Sequence, residues 1–324
     1  MELEAARAPL TRRLRPDPTP GAGEILLQVE ACAVCRTDLQ ICSGDLAAKR
    51  LPIVPGHQIV GRVLRLGEGV DPSFRGARLG VGWLASACGE CSFCQAGREN
   101  LCLRASFTGW DRDGGFASLA LVRADFAIPL PEDGDAAAMA PLLCGGVIGY
   151  RALRLSGVGP GDRLGLFGFG ASALLVGQLA LALGCQLYVV TREPSARERA
   201  GQIGATWVGA PGEAPPLPLQ GAISFAPVGK VVLEALQSLE RGATCVVNAI
   251  HLDGIPAFSY RALYWERRLM SVANYSRQDA VDFLRLARET GVRTQFEQFP
   301  LTQAEMVLGE LQAERVPGAA VLVP

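Results

Sequence analysis

Cys88, Cys91, Cys94 and Cys102 stand in the spacing C-x2-C-x2-C-x7-C. No other feature of the 324-residue chain constrains its folding as strongly. Two-residue gaps let successive thiolates turn in on one point, and a fourth ligand from a short loop closes a tetrahedron. Zinc, borderline-soft and without a geometric preference of its own, suits four thiolates. Gly89 and Gly97 supply backbone freedom for so tight a wrap. The rival readings are an iron–sulfur site and buried free thiols, and four cysteines within fifteen residues argue against the second. A closed four-ligand site holds structure and leaves no open position for chemistry.

The redox setting is consistent with metal ligation. Met1–Arg15 carries charges of both signs and no apolar core of a secretory signal. Ten cysteines without an export signal argue against a disulfide framework, and the expected location is the cytoplasm. The longest apolar stretch, Ala171–Leu183, is interrupted by Gly177 and Gln178 and is too short to span a bilayer. A formal net charge of −1 gives no reason to expect a nucleic acid or a charged membrane surface as partner.

The first half reads as β-rich. Glu24–Val29 and Ile59–Leu66 are strand-like, separated by turn signals such as Pro20-Gly21 and Pro55-Gly56. After Gly149 short apolar segments alternate with helical ones. Arg163–Phe169, Gln186–Thr191, Gly221–Ala226, Thr244–Ala249 and Leu269–Ala273 read as strands, with a short one near Thr206–Val208. Ala171–Leu183, Ser195–Ile203 and Lys230–Leu239 read as the helices between them. That alternation predicts βαβ units and a buried parallel sheet, hence an α/β chain with a Rossmann doubly wound half. The tail from Ser276 reads as a helix (Asp279–Thr290), a strand near Gln295–Pro300, a further helix and an apolar end, Ala319–Val323.

Chemistry at a metal needs three protein ligands and one exchangeable position. Cys35, His57 and Cys144 are candidates, although spacing alone does not link them. Ala31-Cys32-Ala33-Val34-Cys35-Arg36-Thr37-Asp38-Leu39, Pro55-Gly56-His57-Gln58-Ile59-Val60-Gly61 and Ala140-Pro141-Leu142-Leu143-Cys144-Gly145-Gly146 resemble, in order, the three ligand motifs of zinc-containing alcohol dehydrogenases of the medium-chain dehydrogenase/reductase superfamily. The four-cysteine segment falls where that family carries its structural zinc, and the resemblance covers essentially the whole chain.

The resemblance implies a β-rich GroES-like catalytic domain over residues 1–146, to which 276–324 return, and a Rossmann nucleotide-binding domain over 147–275. It implies two zinc ions per chain, one held by Cys35, His57 and Cys144, the other by Cys88, Cys91, Cys94 and Cys102. Thr37 would begin a proton relay, and Asp38 would orient His57 through the ring's other nitrogen. Arg36 would lie against the cofactor pyrophosphate, and the assembly would be a homodimer or homotetramer. Gln58 departs from the pattern: the family usually places glutamate there, a group that approaches the metal during ligand exchange. Cys32 reads as a packed neighbour, and Cys42, Cys185 and Cys245 as core thiols.

The cofactor reading begins at Gly168-Phe169-Gly170-Ala171-Ser172-Ala173, a G-x-G-x-x-A run between a strand and a helix. The first glycine makes the turn and the second lets the backbone approach a pyrophosphate at the helix N-terminus. The small last residue permits close packing. The second strand ends Val190-Thr191-Arg192-Glu193, with no acid at its tip to grip an NAD ribose. Thr191 and Arg192, with Arg197, suit a 2′-phosphate, so NADP(H) is expected over NAD(H). Ala226 and His251 end the fourth and fifth strands, where ligands of open α/β sheets bind, though a surface or packing role fits His251 equally.

The expected reaction is reversible hydride transfer between an alcohol and NADP+, giving an aldehyde or ketone. Two alternatives stay open: a zinc-independent quinone or enone reductase of the same superfamily, and a zinc-stabilised NADP-binding protein with little catalysis. Trp83 and Trp110 read either as walls of an apolar substrate pocket or as core aromatics.

Overall fold

A computed structural model describes residues 1–324. Strands of the first part are β1 (Glu24–Val34), β2 (Gln58–Leu66), β3 (Arg78–Val81), β4 (Leu84–Ser86), β5 (Ser106–Phe107), β6 (Leu119–Arg123) and β7 (Ile128–Pro129). The middle carries β8 (Arg163–Phe167), β9 (Gln186–Val190), β10 (Trp207–Gly209), β11 (Leu219–Ser224), β12 (Leu239–Val247) and β13 (Arg268–Ser271). The tail adds β14 (Phe296–Pro300) and β15 (Ala319–Val323). The chain divides into two compact units: Met1–Cys144 with Asn274–Val281 and Thr294–Pro324, and Gly145–Ala273 with Asp282–Arg293.

The first unit is organised by β1, which runs five residues past the stretch read as a strand and serves three partners. Its start, Glu24–Gln28, pairs antiparallel with β6, and its end, Cys32–Val34, with β15. Along its length it pairs with β2, with register shifts at Leu26/Leu27 and Val29/Ala31. Such irregularities bend and twist a strand, and here the bent strand reaches two different neighbours on one edge. The seven-stranded sheet runs β14-β15-β1-β2-β3-β7, with β6 on β1. Ile25, Leu27, Ile59, Val60, Leu79 and Val321 are buried in its core.

The second unit is a six-stranded parallel sheet in the order β10-β9-β8-β11-β12-β13. Counted from β8 this is 3-2-1-4-5-6, the doubly wound order with its switch between β8 and β11. Helix Ala171–Ala182 is apolar on nearly every side and mostly buried. It packs on helix Gly145–Ser156 at close range: a Cβ on Gly149 would meet Val176 at 2.2 Å. Gly168 has φ +90°, outside the strand region, which is why β8 stops at Phe167 rather than Phe169. No single helix is long and apolar enough to cross a membrane.

Candidate functional site

The antiparallel register of β1 and β2 explains why Cys35 and His57 meet. Ala33 pairs with Gln58, so the two residues just past the paired ends emerge side by side. Cys35 Sγ lies 3.3 Å from His57 Nε2. Cys35 also caps the helix Arg36–Ser43, its sulfur accepting from Thr37 N at 3.3 Å. The third residue arrives by close packing: a Cβ on Gly80 of β3 would meet Leu143 at 2.6 Å, so that glycine makes room for the 3-10 turn Ala140–Leu143, and Cys144 follows. The ligand atoms of Cys35, His57 and Cys144 lie within 4.8 Å of one another.

Asp38 is fully buried and holds this arrangement. One oxygen accepts from Cys35 N (2.9 Å), the other from Gly56 N (3.1 Å), and the latter lies 2.9 Å from His57 Nδ1. Burial pushes the Asp38 carboxyl up against the opposing pull of the imidazole. Burial pulls His57 down, but Asp38 and Cys35 outweigh it and hold the imidazole well above its ordinary value. Both shifts describe one proton held between Nδ1 and the carboxylate, which turns Nε2 towards the two sulfurs. The Cys35 thiol is held well below its ordinary value by a hydrogen bond from Cys144 and by the imidazole, while Cys144 is pushed up by that same bond and by burial. Two thiols cannot both ionise here without a cation to compensate them. The donor set therefore fits a divalent metal.

The wall beside His57 is aromatic. Trp83 meets the imidazole edge-on at 5.0 Å and stacks on Phe107 (5.1 Å) and Trp110 (5.9 Å). Lys49 Nζ sits 4.1 Å over the Trp110 ring and pairs with Asp111 at 2.8 Å. Trp83 thus lies against His57, and Trp110 and Phe107 stack behind it with Lys49 over their rings; Phe107 and Lys49 carry no spacing signal in the chain. Gln58 is buried beside His57. Thr37 is buried next to Cys35, whereas Arg36 is exposed and paired with Glu314 at 2.9 Å.

The four-cysteine lobe is built differently. Cys88 and Cys94 sulfurs lie 3.8 Å apart and those of Cys91 and Cys94 3.6 Å, close to the ~3.7 Å edge of a tetrahedron of zinc–sulfur bonds. Backbone N–H groups turn inward: Cys91 N donates to Cys88 Sγ, and Cys88 N and Arg104 N to Cys102 Sγ. Gly89 and Gly97 have φ of +77° and +66°, as a left-handed wrap requires. Hydrogen bonds from the Glu90 and Cys91 backbone lower Cys88 to about 6, while partial burial and neighbouring sulfurs push Cys94 up to about 12. Cys32, Cys42, Cys185 and Cys245 are buried and belong to neither cluster, and burial pushes Cys42 and Cys245 up to about 12.

In the second unit, Gly168 N donates to Val190 O (2.8 Å), and Gly170 caps helix Ala171–Ala182 with no side-chain partner for its first N–H groups. Gly168 packs on Ala226, where an added Cβ would meet the Ala226 nitrogen at 3.0 Å. Ser172 Oγ donates to Gly145 O at 2.5 Å. Thr191 is buried at the end of β9. Arg192 is exposed and paired with Glu193 at 3.0 Å. Arg197 Nη1 donates to the carbonyls of Thr191 and Arg192, fixing that turn. His251 lies exposed beyond β12.

Residues 21–132 match the family described as "Alcohol dehydrogenase GroES-like domain". "Probable alcohol dehydrogenase AdhA" of Mycobacterium tuberculosis is 44% identical over 97% of this chain and 93% of its own length. An alcohol dehydrogenase of Geobacillus stearothermophilus is 31% identical over 99% and 98%. Among solved structures, a cinnamyl alcohol dehydrogenase from Sorghum bicolor superposes with TM-score 0.86 at 25% identity, over 95% of this chain and 92% of that one. A "putative zinc-binding dehydrogenase" of Sinorhizobium meliloti 1021, bound to NADP, gives 0.87 at 26%, over 100% and 98%. The chain belongs to the zinc-containing alcohol dehydrogenases of the medium-chain dehydrogenase/reductase superfamily.

Proposed function

We propose that this enzyme catalyses reversible hydride transfer between an alcohol and NADP(H), with Cys35, His57 and Cys144 holding a catalytic zinc and the four-cysteine lobe a structural one. The observation that carries this reading is the meeting of Cys35, His57 and Cys144 within 4.8 Å, with Asp38 bound behind the imidazole. Zinc bound there would supply a Lewis acid that lowers the alcohol's pKa or polarises the carbonyl in reverse. Asp38 keeps the proton on Nδ1 and so offers Nε2 as a ligand. Thr37, buried two residues from the Cys35 cap, supplies the hydroxyl that receives the substrate proton. The Trp83–Phe107–Trp110 stack excludes water from one side and favours apolar substituents on the alcohol. The full three-ligand set disfavours a zinc-independent quinone or enone reductase.

Gly168, Gly170, Ala171, Ser172 and Ala226 form the proposed nucleotide cradle, with Arg36 and His251 as further contacts. NADP preference rests on Thr191 and Arg192 at an acid-free strand end, with Arg197 shaping the turn, and on the NADP-bound relative. Arg192 pairs with Glu193 where both are more than half exposed. Such a pair is worth about 0–1 kcal/mol, so a dianionic phosphate competes for it readily. The proposed homodimer or homotetramer rests on β13, an edge strand of the parallel sheet, and on the exposed Tyr260, Tyr264, Trp265 and Met270 near it.

Steady-state kinetics on short primary and secondary alcohols with each cofactor tests the reading. A higher kcat/KM with NADP+ is expected, and Arg192→Ala should cut that preference about tenfold, the scale of one charge-assisted contact. A wild-type preference for NAD+ would reverse the cofactor choice, and no turnover of any alcohol would remove the activity.

A further inference from the structure

We propose that Tyr275 is a positioning residue for the three-ligand site: its hydroxyl ties the segment that delivers Cys144 to the peptide that carries Trp83 beside His57, and thereby sets how tightly that site holds its metal. The inference rests on Cys35, His57 and Cys144 being zinc ligands, as proposed above. Tyr275 lies on the segment that returns to the first unit, far in sequence from both partners. Its buried hydroxyl accepts from Trp83 N at 2.7 Å and donates to Leu143 O at 3.0 Å.

Neither backbone group has a partner within regular structure. Trp83 lies in the gap between β3 and β4. Leu143 ends a 3-10 turn, and Cys144 leaves it at φ −129°, ψ −73°, so the Leu143 carbonyl is an orphan of the helix end. Space for the hydroxyl has been kept open: a Cβ on Gly82 would fall 1.6 Å from it and 2.8 Å from Leu143 O. The same Gly82–Trp83 peptide is held from its other side, where Thr108 Oγ1 donates to Gly82 O at 2.8 Å. Thr108 N also donates to Trp83 O at 2.9 Å. Trp83 is therefore fixed at both its N–H and its carbonyl, with its ring edge on His57. Burial pushes the Tyr275 phenol far up, so it keeps the proton it donates. Removing the hydroxyl leaves two buried backbone groups unpaired, one of them on the residue before a ligand.

The test is zinc retention against a graded chelator such as dipicolinate, on zinc-loaded wild type, Tyr275→Phe, Thr108→Val and Ile25→Val. Ile25 is buried at the far end of β1 from Cys35, so its truncation controls for general destabilisation. Wild type should release zinc in two classes. In Tyr275→Phe the weaker class should leave at about 10- to 100-fold lower chelator, while the four-cysteine class stays in place. Thr108→Val should shift the same class in the same direction by less, and Ile25→Val should shift neither relative to the other. Coincident curves for wild type and Tyr275→Phe would overturn the proposal, as would equal shifts of both classes. If Tyr275→Phe does not fold, a Thr108→Val curve coincident with wild type overturns it alone. A single class in wild type would overturn the metal reading itself and this proposal with it, a result distinct from failure of the Tyr275 contact.

Discussion

The two cysteine-bearing sites solve opposite problems with similar ligands. The four-cysteine lobe gathers its sulfurs from fifteen consecutive residues, keeps Cys88, Cys91 and Cys94 partly exposed, and lines them with backbone N–H groups. A metal there would replace the core that so small a lobe lacks. The three-ligand site draws on the end of one strand, the start of the next and a turn packed on a third, around the buried His57 and Asp38. There the fold organises the ligands, and Asp38, Trp83 and Tyr275 shape what surrounds them. On the proposed reading, the difference teaches that ligands close in sequence build structure around a metal, whereas ligands brought together by the sheet are set by the fold and serve chemistry.

That comparison breaks most visibly at His57. His57→Ala should lower turnover by on the order of 10³ or more, as loss of several kcal/mol of charge stabilisation requires, and it also leaves the buried Asp38 without its imidazole partner. Cys94→Ser should act on stability alone. It should lower the melting temperature by on the order of 5–10 °C and leave kcat per folded molecule within a few-fold. Asp38→Asn sharpens the contrast at a smaller scale, weakening zinc at the buried site by about 10- to 100-fold without touching the lobe, as read by metal competition.

The smallest expected effect lies at Glu99, beside the lobe, which accepts from Arg277 N (2.9 Å) and Arg277 Nε (3.2 Å). Burial opposes ionisation, but these donors prevail and hold the carboxyl below its ordinary 4.5. Its folded pKa is depressed, so its contribution is present above the unfolded value and is lost as pH falls through the folded one. Glu99→Gln should cost about 1 kcal/mol at pH 7. In denaturant titrations the difference from wild type should hold at neutral pH and shrink below about pH 4.5.

The same contrast explains what was legible in the chain. The lobe could be read from spacing because its ligands are neighbours. Cys35, His57 and Cys144 needed the resemblance to a known family, since the β1–β2 register and the Gly80–Leu143 packing that join them leave no periodic signal. The alternating middle announced a parallel sheet, with strand ends misplaced where a positive φ at Gly168 stops β8. The helix Arg36–Ser43 escaped notice because eight residues are too short a stretch for helical periodicity to stand out. Tyr275 could not be found at all: its role depends on a glycine and a carbonyl that only the fold brings to it.

The most direct test of two sites with different work is metal analysis coupled to activity. Wild-type enzyme should hold two zinc ions per chain, one for each ligand cluster, and Cys35→Ser should hold one, stay folded and turn over no alcohol. Two zinc ions in Cys35→Ser, or undiminished turnover by that variant, would contradict the account.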